Sequence, residues 1–173
     1  MLQFIIQPMH AKKTLLARLA APSDLRTVAA LFDAYRQFYE QPADLDLATA
    51  FIAERMQRGE SIILIIEGAA CGVGEQADVL GFCQMYPSFC SVEAASIVTL
   101  YDLFVSPQAR KCGVGRALLQ AAEGYARDHG YVRMDLTTAK TNAAAQSLYE
   151  SLGWVRDEVF LTYNRRIASL ASP

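Results

Sequence analysis

The chain has 173 residues, 53% of them hydrophobic and 20% charged, with a formal net charge of −2. That length suits one domain able to bury roughly 70% of its unfolded surface without staples. The composition excludes a disordered chain, and the near-neutral balance excludes a general nucleic-acid binder.

Reading from the N-terminus, "MLQFIIQPMHAKK" carries its lysines after the apolar run, the wrong order for a secretory signal. Residues 1–13 are therefore expected as an extension ahead of a domain over 14–173. "TLLARLA" (14–20) reads as a strand. Ser23 is the expected N-cap of a helix, "DLRTVAALFDAYRQFYE", whose Leu25, Val28, Ala29, Phe32, Tyr35 and Tyr39 follow helical spacing and which Pro42 ends. Asp46 is the expected cap of a second helix, "LATAFIAERMQR", stopped by Gly59. "SIILIIE" (61–67) is a buried strand by its β-branched run, and "VLGFCQMY" (79–86) returns after the glycine-rich turn "GAACGVGEQAD" as the second arm of a hairpin. This apolar region is too short and too glycine-rich to cross a bilayer, so no membrane partner is expected.

"SIVTLYDLFVS" (96–106) is the longest strand candidate. The loop "SPQARKCGVG" follows, then a helix with Val114, Leu118, Ala121, Ala122 and Tyr125 on one face and Gly130 at its end. "YVRMDLTT" (131–138) reads as a strand, and "NAAAQSLYESLG" (142–153) as a helix capped by Asn142 and stopped by Gly153. "WVRDEVF" and "LTYNRRI" read as a last pair of strands. The order predicts a mixed α/β fold with hairpins and crossovers in one sheet.

Cys71, Cys83, Cys90 and Cys112 make no C-x-x-C pair and have no histidine close in sequence. Zinc-site spacing is thus absent, no metal is expected, and a reduced, cytoplasmic protein is.

The loop before the third helix carries the chemistry. A helix N-terminus exposes unpaired N–H groups and about half a positive charge, where an anion sits naturally. Gly113 and Gly115 let a phosphate approach the main chain of Val114, Gly115 and Arg116, while Arg110, Lys111 and Arg116 add charge. A Walker A loop fails, because Arg116 and Ala117 stand where Lys and Ser or Thr are needed. A dinucleotide fingerprint fails at Leu118, where a third glycine is needed, although Asp135 stands about 20 residues on. A glycine-softened turn with no ligand is the plain alternative.

Arg-x-x-Gly-x-Gly directly after a strand ending "DLFVSP" resembles the coenzyme A loop of the GNAT acetyltransferase superfamily, and the order of elements from first strand to last is similar. The resemblance implies a single domain with a mostly antiparallel sheet, splayed between the strands at 97–105 and 131–138, and helices on both faces. It implies acetyl-CoA as cosubstrate, with Arg110, Lys111, Cys112, Gly113, Val114, Gly115 and Arg116 around its pyrophosphate. Leu103, Phe104 and Val105 would lend backbone groups to the pantetheine arm and the acetyl carbonyl. "TNAAAQSLYESLGW" resembles the family's following motif, which places Asn142 and Ala145 at the pantetheine and makes Tyr149 the acid for the leaving thiolate. Asn142 as a mere cap and Tyr149 as a mere core aromatic remain the plain readings.

Acetyl transfer to an amine needs a proton acceptor, because a free alkylamine titrates near pH 10. "LGFCQMYPSF" followed by "LYDLFVSP" is similar to the polyamine and thialysine acetyltransferase branch, which carries Glu-Asp where this chain has Tyr101-Asp102. Successive strand residues face opposite sides, so Asp102 takes over the Glu position only if a β-bulge re-aims it. Asp102 is a base or water relay in one reading and a structural carboxylate in the other. Tyr35, Tyr39, Tyr86 and Tyr101 are the candidate walls of an acceptor site suited to a small, cationic primary amine. A C-terminal strand left at an edge offers a surface for a homodimer. Two other classes stay open: a CoA-binding sensor without turnover, and a dinucleotide-binding oxidoreductase resting on Gly113, Gly115 and Asp135.

Overall fold

Long apolar runs that alternate in direction build the centre of the molecule. The described residues, 15–68 and 78–167 of a computed structural model, follow the order β1 (Leu16–Leu19), α1 (Leu25–Phe38), α2 (Leu45–Arg58), β2 (Ile62–Gly68), β3 (Asp78–Cys90), β4 (Ala95–Val105), α3 (Val114–Asp128), β5 (Met134–Leu136) and α4 (Ala143–Glu150). The sheet order is β1-β2-β3-β4-β5. The first three pairings are antiparallel, and only β4 and β5 run parallel. The mixed, mostly antiparallel α/β fold expected from the sequence is the one observed.

β2 is buried on both faces along its apolar run. Ile63 and Ile65 pack with Val28 of α1, Ile52 of α2, and Phe82 and Phe104 of β3 and β4. Their strand neighbours point the other way, toward the side where α3 lies across β1 to β4. Helices therefore cover both faces. Gly81 lets β3 and β4 approach closely, since a Cβ there would fall 2.6 Å from the Phe104 carbonyl oxygen.

Contacts gather into two units, Met1–Thr137 and Thr138–Pro173. The sheet with α1, α2 and α3 belongs to the first, and α4 to the second. Expectations for residues 1–13, and for most of the turn 69–77 with Cys71, lie outside the described residues.

Several local expectations are corrected. Ser23 does not cap α1: Pro22–Asp24 form a 3₁₀ turn, and the Asp24 carboxylate accepts from the Ala21 N–H at 2.6 Å and from Arg18 at 2.6 and 3.0 Å. The nearby guanidinium draws in Asp24 and sets the turn. Asp44, not Asp46, caps α2, accepting from the Leu47 N–H at 2.9 Å. Asp44 is fixed there because buried Asp33 accepts from its N–H, also at 2.9 Å. β3 runs on through Pro87 to Cys90, past the end of β2 at Ile62↔Met85. Pro87 thus sits where the strand has no second neighbour to receive its missing N–H. β5 is three residues long rather than eight. Residues 154–167 form no strand, and Val155, Phe160, Leu161, Tyr163 and Ile167 are exposed; β-branched content alone does not make a strand without a partner to pair with.

Candidate active site

β4 pairs with β5 only from Val98↔Met134 to Leu100↔Leu136, while β4 itself continues to Val105. Among the described residues, no strand lies beside the β5-facing edge of β4 past Leu100. That is the splay expected between these two strands.

At the same point the other ladder slips. Gln84 pairs with Asp102, yet the next residue, Met85, pairs with Leu100. Tyr101 is the extra residue of a β-bulge. The bulge reverses the facing of everything after it. Asp102 now shares the face of Phe104 and of cross-strand Gln84, beneath α1. Tyr101 is pushed outward and is 66% exposed, whereas Asp102 is 4% exposed.

The Asp102 carboxylate lies in a polar pocket within this apolar face. Gln84 Nε2 donates to Asp102 Oδ2 at 3.0 Å. The Tyr35 hydroxyl has two acceptors within reach of its one proton, the carboxylate and the Tyr101 carbonyl at 3.4 Å. Burial pushes the Asp102 carboxyl up to about 6, against the hydrogen bonds from Tyr35 and Gln84 that hold it down. Burial, with Asp102 nearby, pushes the Tyr86 phenol up to about 12.

Aromatic rings surround the bulge. Tyr35 packs edge-on against Tyr39, centroids 5.1 Å apart, and also meets Phe82 and Phe104. Tyr86 and Tyr101 meet edge-to-face at 5.6 Å. Of the four tyrosines expected at an acceptor site, Tyr35 and Tyr86 lie beside Asp102, and Tyr39 and Tyr101 each pair with one of them.

The loop after β4 opens with Ser106, whose N–H donates to the Leu80 carbonyl at 2.9 Å, and makes a 3₁₀ turn at Pro107–Ala109. Lys111 has φ +62° and Gly113 φ +84°. This left-handed turn delivers the chain to α3, with Gly113 as a cap that supplies no side-chain hydrogen bond and with no acidic residue in the first turn. The first helical bond runs from the Ala117 N–H to the Gly113 carbonyl at 3.0 Å, so the amides ahead of Ala117 lie outside the helical ladder. An anionic group fits a helix start of this kind. Arg110 is turned back toward β4: its Nε donates to the Val105 carbonyl at 3.3 Å, and its guanidinium lies about 6 Å from the Phe38 and Phe104 ring centres. Lys111 and Arg116 are exposed, and Cys112 is half-buried with its thiol against the Arg110 carbonyl.

In the second unit, Asn142 Oδ1 accepts from the Ala145 N–H at 3.3 Å and caps α4. Tyr149, half-buried, has its ring 6.1 Å from that of Trp154. Gly153 ends the turn at φ +88°. The described residues contain no group of three or more His, Cys, Asp or Glu able to hold a metal ion, and no described helix is long and apolar enough to cross a membrane.

Sequence reasoning missed Gln84. Its signal was present: a lone amide in the middle of the apolar strand "VLGFCQMY", fully buried in the fold.

A mostly antiparallel sheet thus opens along one edge of β4, beside a glycine-led helix start and a recessed acid. The profile of the Acetyltransferase (GNAT) family matches residues 28–154. The chain belongs to that family and is an acetyl-CoA-dependent N-acetyltransferase. It is 43% identical over 146 residues to the uncharacterised N-acetyltransferase YhfO of Bacillus subtilis (strain 168), covering 84% of this chain and 93% of YhfO. The crystal structure of a probable acetyltransferase superposes with a TM-score of 0.79 at 35% identity, over 89% of this chain and 99% of that one. An aminoglycoside N-acetyltransferase in complex with CoA shares the fold, with a TM-score of 0.71 at 19% identity over 92% of this chain and 100% of that one. The oxidoreductase reading loses its ground, and Asp135 is held by Arg133 through two bonds of 2.9 and 3.2 Å.

Proposed function

We propose that the protein transfers acetyl groups directly to a small-molecule primary amine, with Asp102 as the proton acceptor. The observation that carries this reading is the bulge at Tyr101, which turns Asp102 inward and leaves its carboxyl at about 6. An acid at that value is ionised at neutral pH and is a stronger base than an ordinary carboxylate, which suits it to take the proton that the amine sheds as it attacks the thioester.

The main-chain amides at the start of α3, with Lys111, Arg116, Arg110 and the side chain of Cys112 around them, would hold the pyrophosphate of acetyl-CoA. Leu103, Phe104 and Val105 would present the unpaired edge of β4 to the pantetheine arm, with Asn142 and Ala145 as further contacts. The coenzyme supplies the activated acetyl thioester. The β4 amides would orient its carbonyl, and Tyr149 would be the acid for the departing thiolate. Tyr35, Tyr39, Tyr86 and Tyr101 form the walls that receive the amine, whose positive charge suits aromatic faces. This is as far as the likeness to the polyamine and thialysine branch goes, since Tyr101 replaces its Glu and Asp102 acts instead. A cytoplasmic setting accords with the free thiols of Cys83, Cys90 and Cys112.

The test is a free-thiol assay with acetyl-CoA and a panel comprising a diamine, a polyamine, an amino acid, an aminoglycoside and a peptide. The expected result is turnover on at least one small amine, reduced by about 10²-fold or more in Asp102→Asn. CoA uptake with no thiol release on any amine contradicts it and favours a sensor.

A further inference from the structure

Three groups in this site have no task in the proton transfer: Gln84, Ser61 and the hydroxyl of Tyr86. Gln84 is fully buried in β3, directly opposite Asp102 across the bulged ladder. A buried amide costs free energy unless its donors and acceptor are used. Here all of them are. Nε2 donates both to Asp102 Oδ2, at 3.0 Å, and to the Tyr86 hydroxyl oxygen, while Oε1 accepts from Ser61 Oγ at 3.3 Å.

The direction of these bonds matters. An ionised carboxylate needs a donor, so the amide nitrogen faces Asp102 and Oε1 is left to accept from Ser61 Oγ. A flipped amide would set its carbonyl oxygen against that carboxylate. The Tyr86 oxygen, in turn, accepts from Gln84, so its own proton points away from Gln84.

From this arrangement we infer that Gln84, braced by Ser61, is a positioning residue of the acetyltransferase: it holds Asp102 ready as an acceptor and Tyr86 as a donor. The inference rests on the reading of Asp102 as the base. Other groups face the carboxylate too. Tyr35 bonds to it from α1, Cys83 and Tyr86 flank it from β3, and Tyr101 precedes it on β4. Arg55 of α2 and Glu60 act on Tyr86. Among these, Gln84 and Tyr35 supply the side-chain hydrogen bonds that favour the ionised form.

The test uses Gln84→Met, close in shape and without a donor, with Ser61→Ala as a milder variant that keeps the amide but removes the hydrogen bond to its oxygen. Asp102 is followed by carboxyl carbon NMR between pH 4 and 9 in the full chain, its signal assigned by loss in Asp102→Asn. Gln84→Met is expected to raise the Asp102 midpoint by about one pH unit, since a donor to a charged group is lost. Ser61→Ala is expected to raise it by less. The acidic limb of kcat should move by the same amount on whichever amine is turned over. An Asp102 midpoint unchanged in both variants overturns the inference. Should the midpoint move while Asp102→Asn keeps full turnover, the positioning stands and the base assignment fails, so the two outcomes separate. Should Gln84→Met not fold, the Ser61→Ala midpoint decides alone.

Discussion

Asp102→Asn should stabilise this protein at neutral pH while weakening catalysis. The folded state holds the Asp102 carboxyl at about 6 against an ordinary 3.8, chiefly through burial. Between those values the folded state binds more proton than the unfolded state, so stability falls as pH rises through the window. About two units at about 1.4 kcal/mol each place the loss at about 3 kcal/mol by pH 8. Asparagine has no proton to lose and can keep an oxygen toward Gln84. The advantage of Asp102→Asn over the parent should therefore be small at pH 4 and grow by as much as about 3 kcal/mol by pH 8, which for a chain of this size is about 6–12 °C in Tm. Reversible urea melts of both proteins at unit steps from pH 4 to pH 8 measure this directly. A stability difference that stays constant across the range refutes the claim that Asp102 is an acid forced to ionise in a buried place.

The remaining predictions concern the frame around that group. Gly113→Val places a β-branched side chain at φ +84°; it should cost about 1–2 kcal/mol by thermal melt and weaken CoA binding by calorimetry, and unchanged affinity would detach the loop from the coenzyme. Gly81→Ala drives a Cβ to 2.6 Å from the Phe104 oxygen and should lower stability by about 1–3 kcal/mol, read as a fall in Tm. Tyr149→Phe should lower kcat by about 100-fold or more with CoA affinity nearly unchanged; an equal loss in affinity would mark it as a packing residue. Asp44→Ala removes the α2 cap bonded to the Leu47 N–H and should cost about 1 kcal/mol in a urea melt.

The parts of this molecule that the sequence made legible are those whose signal is local. Hydrophobic spacing gave α1 and α3 to within a residue or two, Gly59 and Gly153 ended their helices in left-handed turns, and Asn142 capped α4 as expected. The loop and β4 could be singled out because a carboxylate inside "IVTLYDLFV" and two glycines before a helix each conflict with ordinary packing. What escaped depends on partners distant in the chain. Asp24 turns toward Arg18, and Asp44 is chosen over Asp46 because Asp33 reaches it from α1. β3 outlasts its expected end because β4 alone accompanies it past Met85. The strand-like residues 154–167 find no pairing. Gln84 stood in plain view, yet its worth comes from Asp102, 18 residues away across a bulged ladder.

In the proposed mechanism Asp102, re-aimed by the bulge, takes the proton from the amine. Its most direct test is the pH dependence of kcat at saturating acetyl-CoA and amine in the parent and in Asp102→Asn. The parent should lose activity as pH falls, with a midpoint near 6, and Asp102→Asn should show a far lower plateau without that limb. The same midpoint and plateau in both proteins would contradict the account.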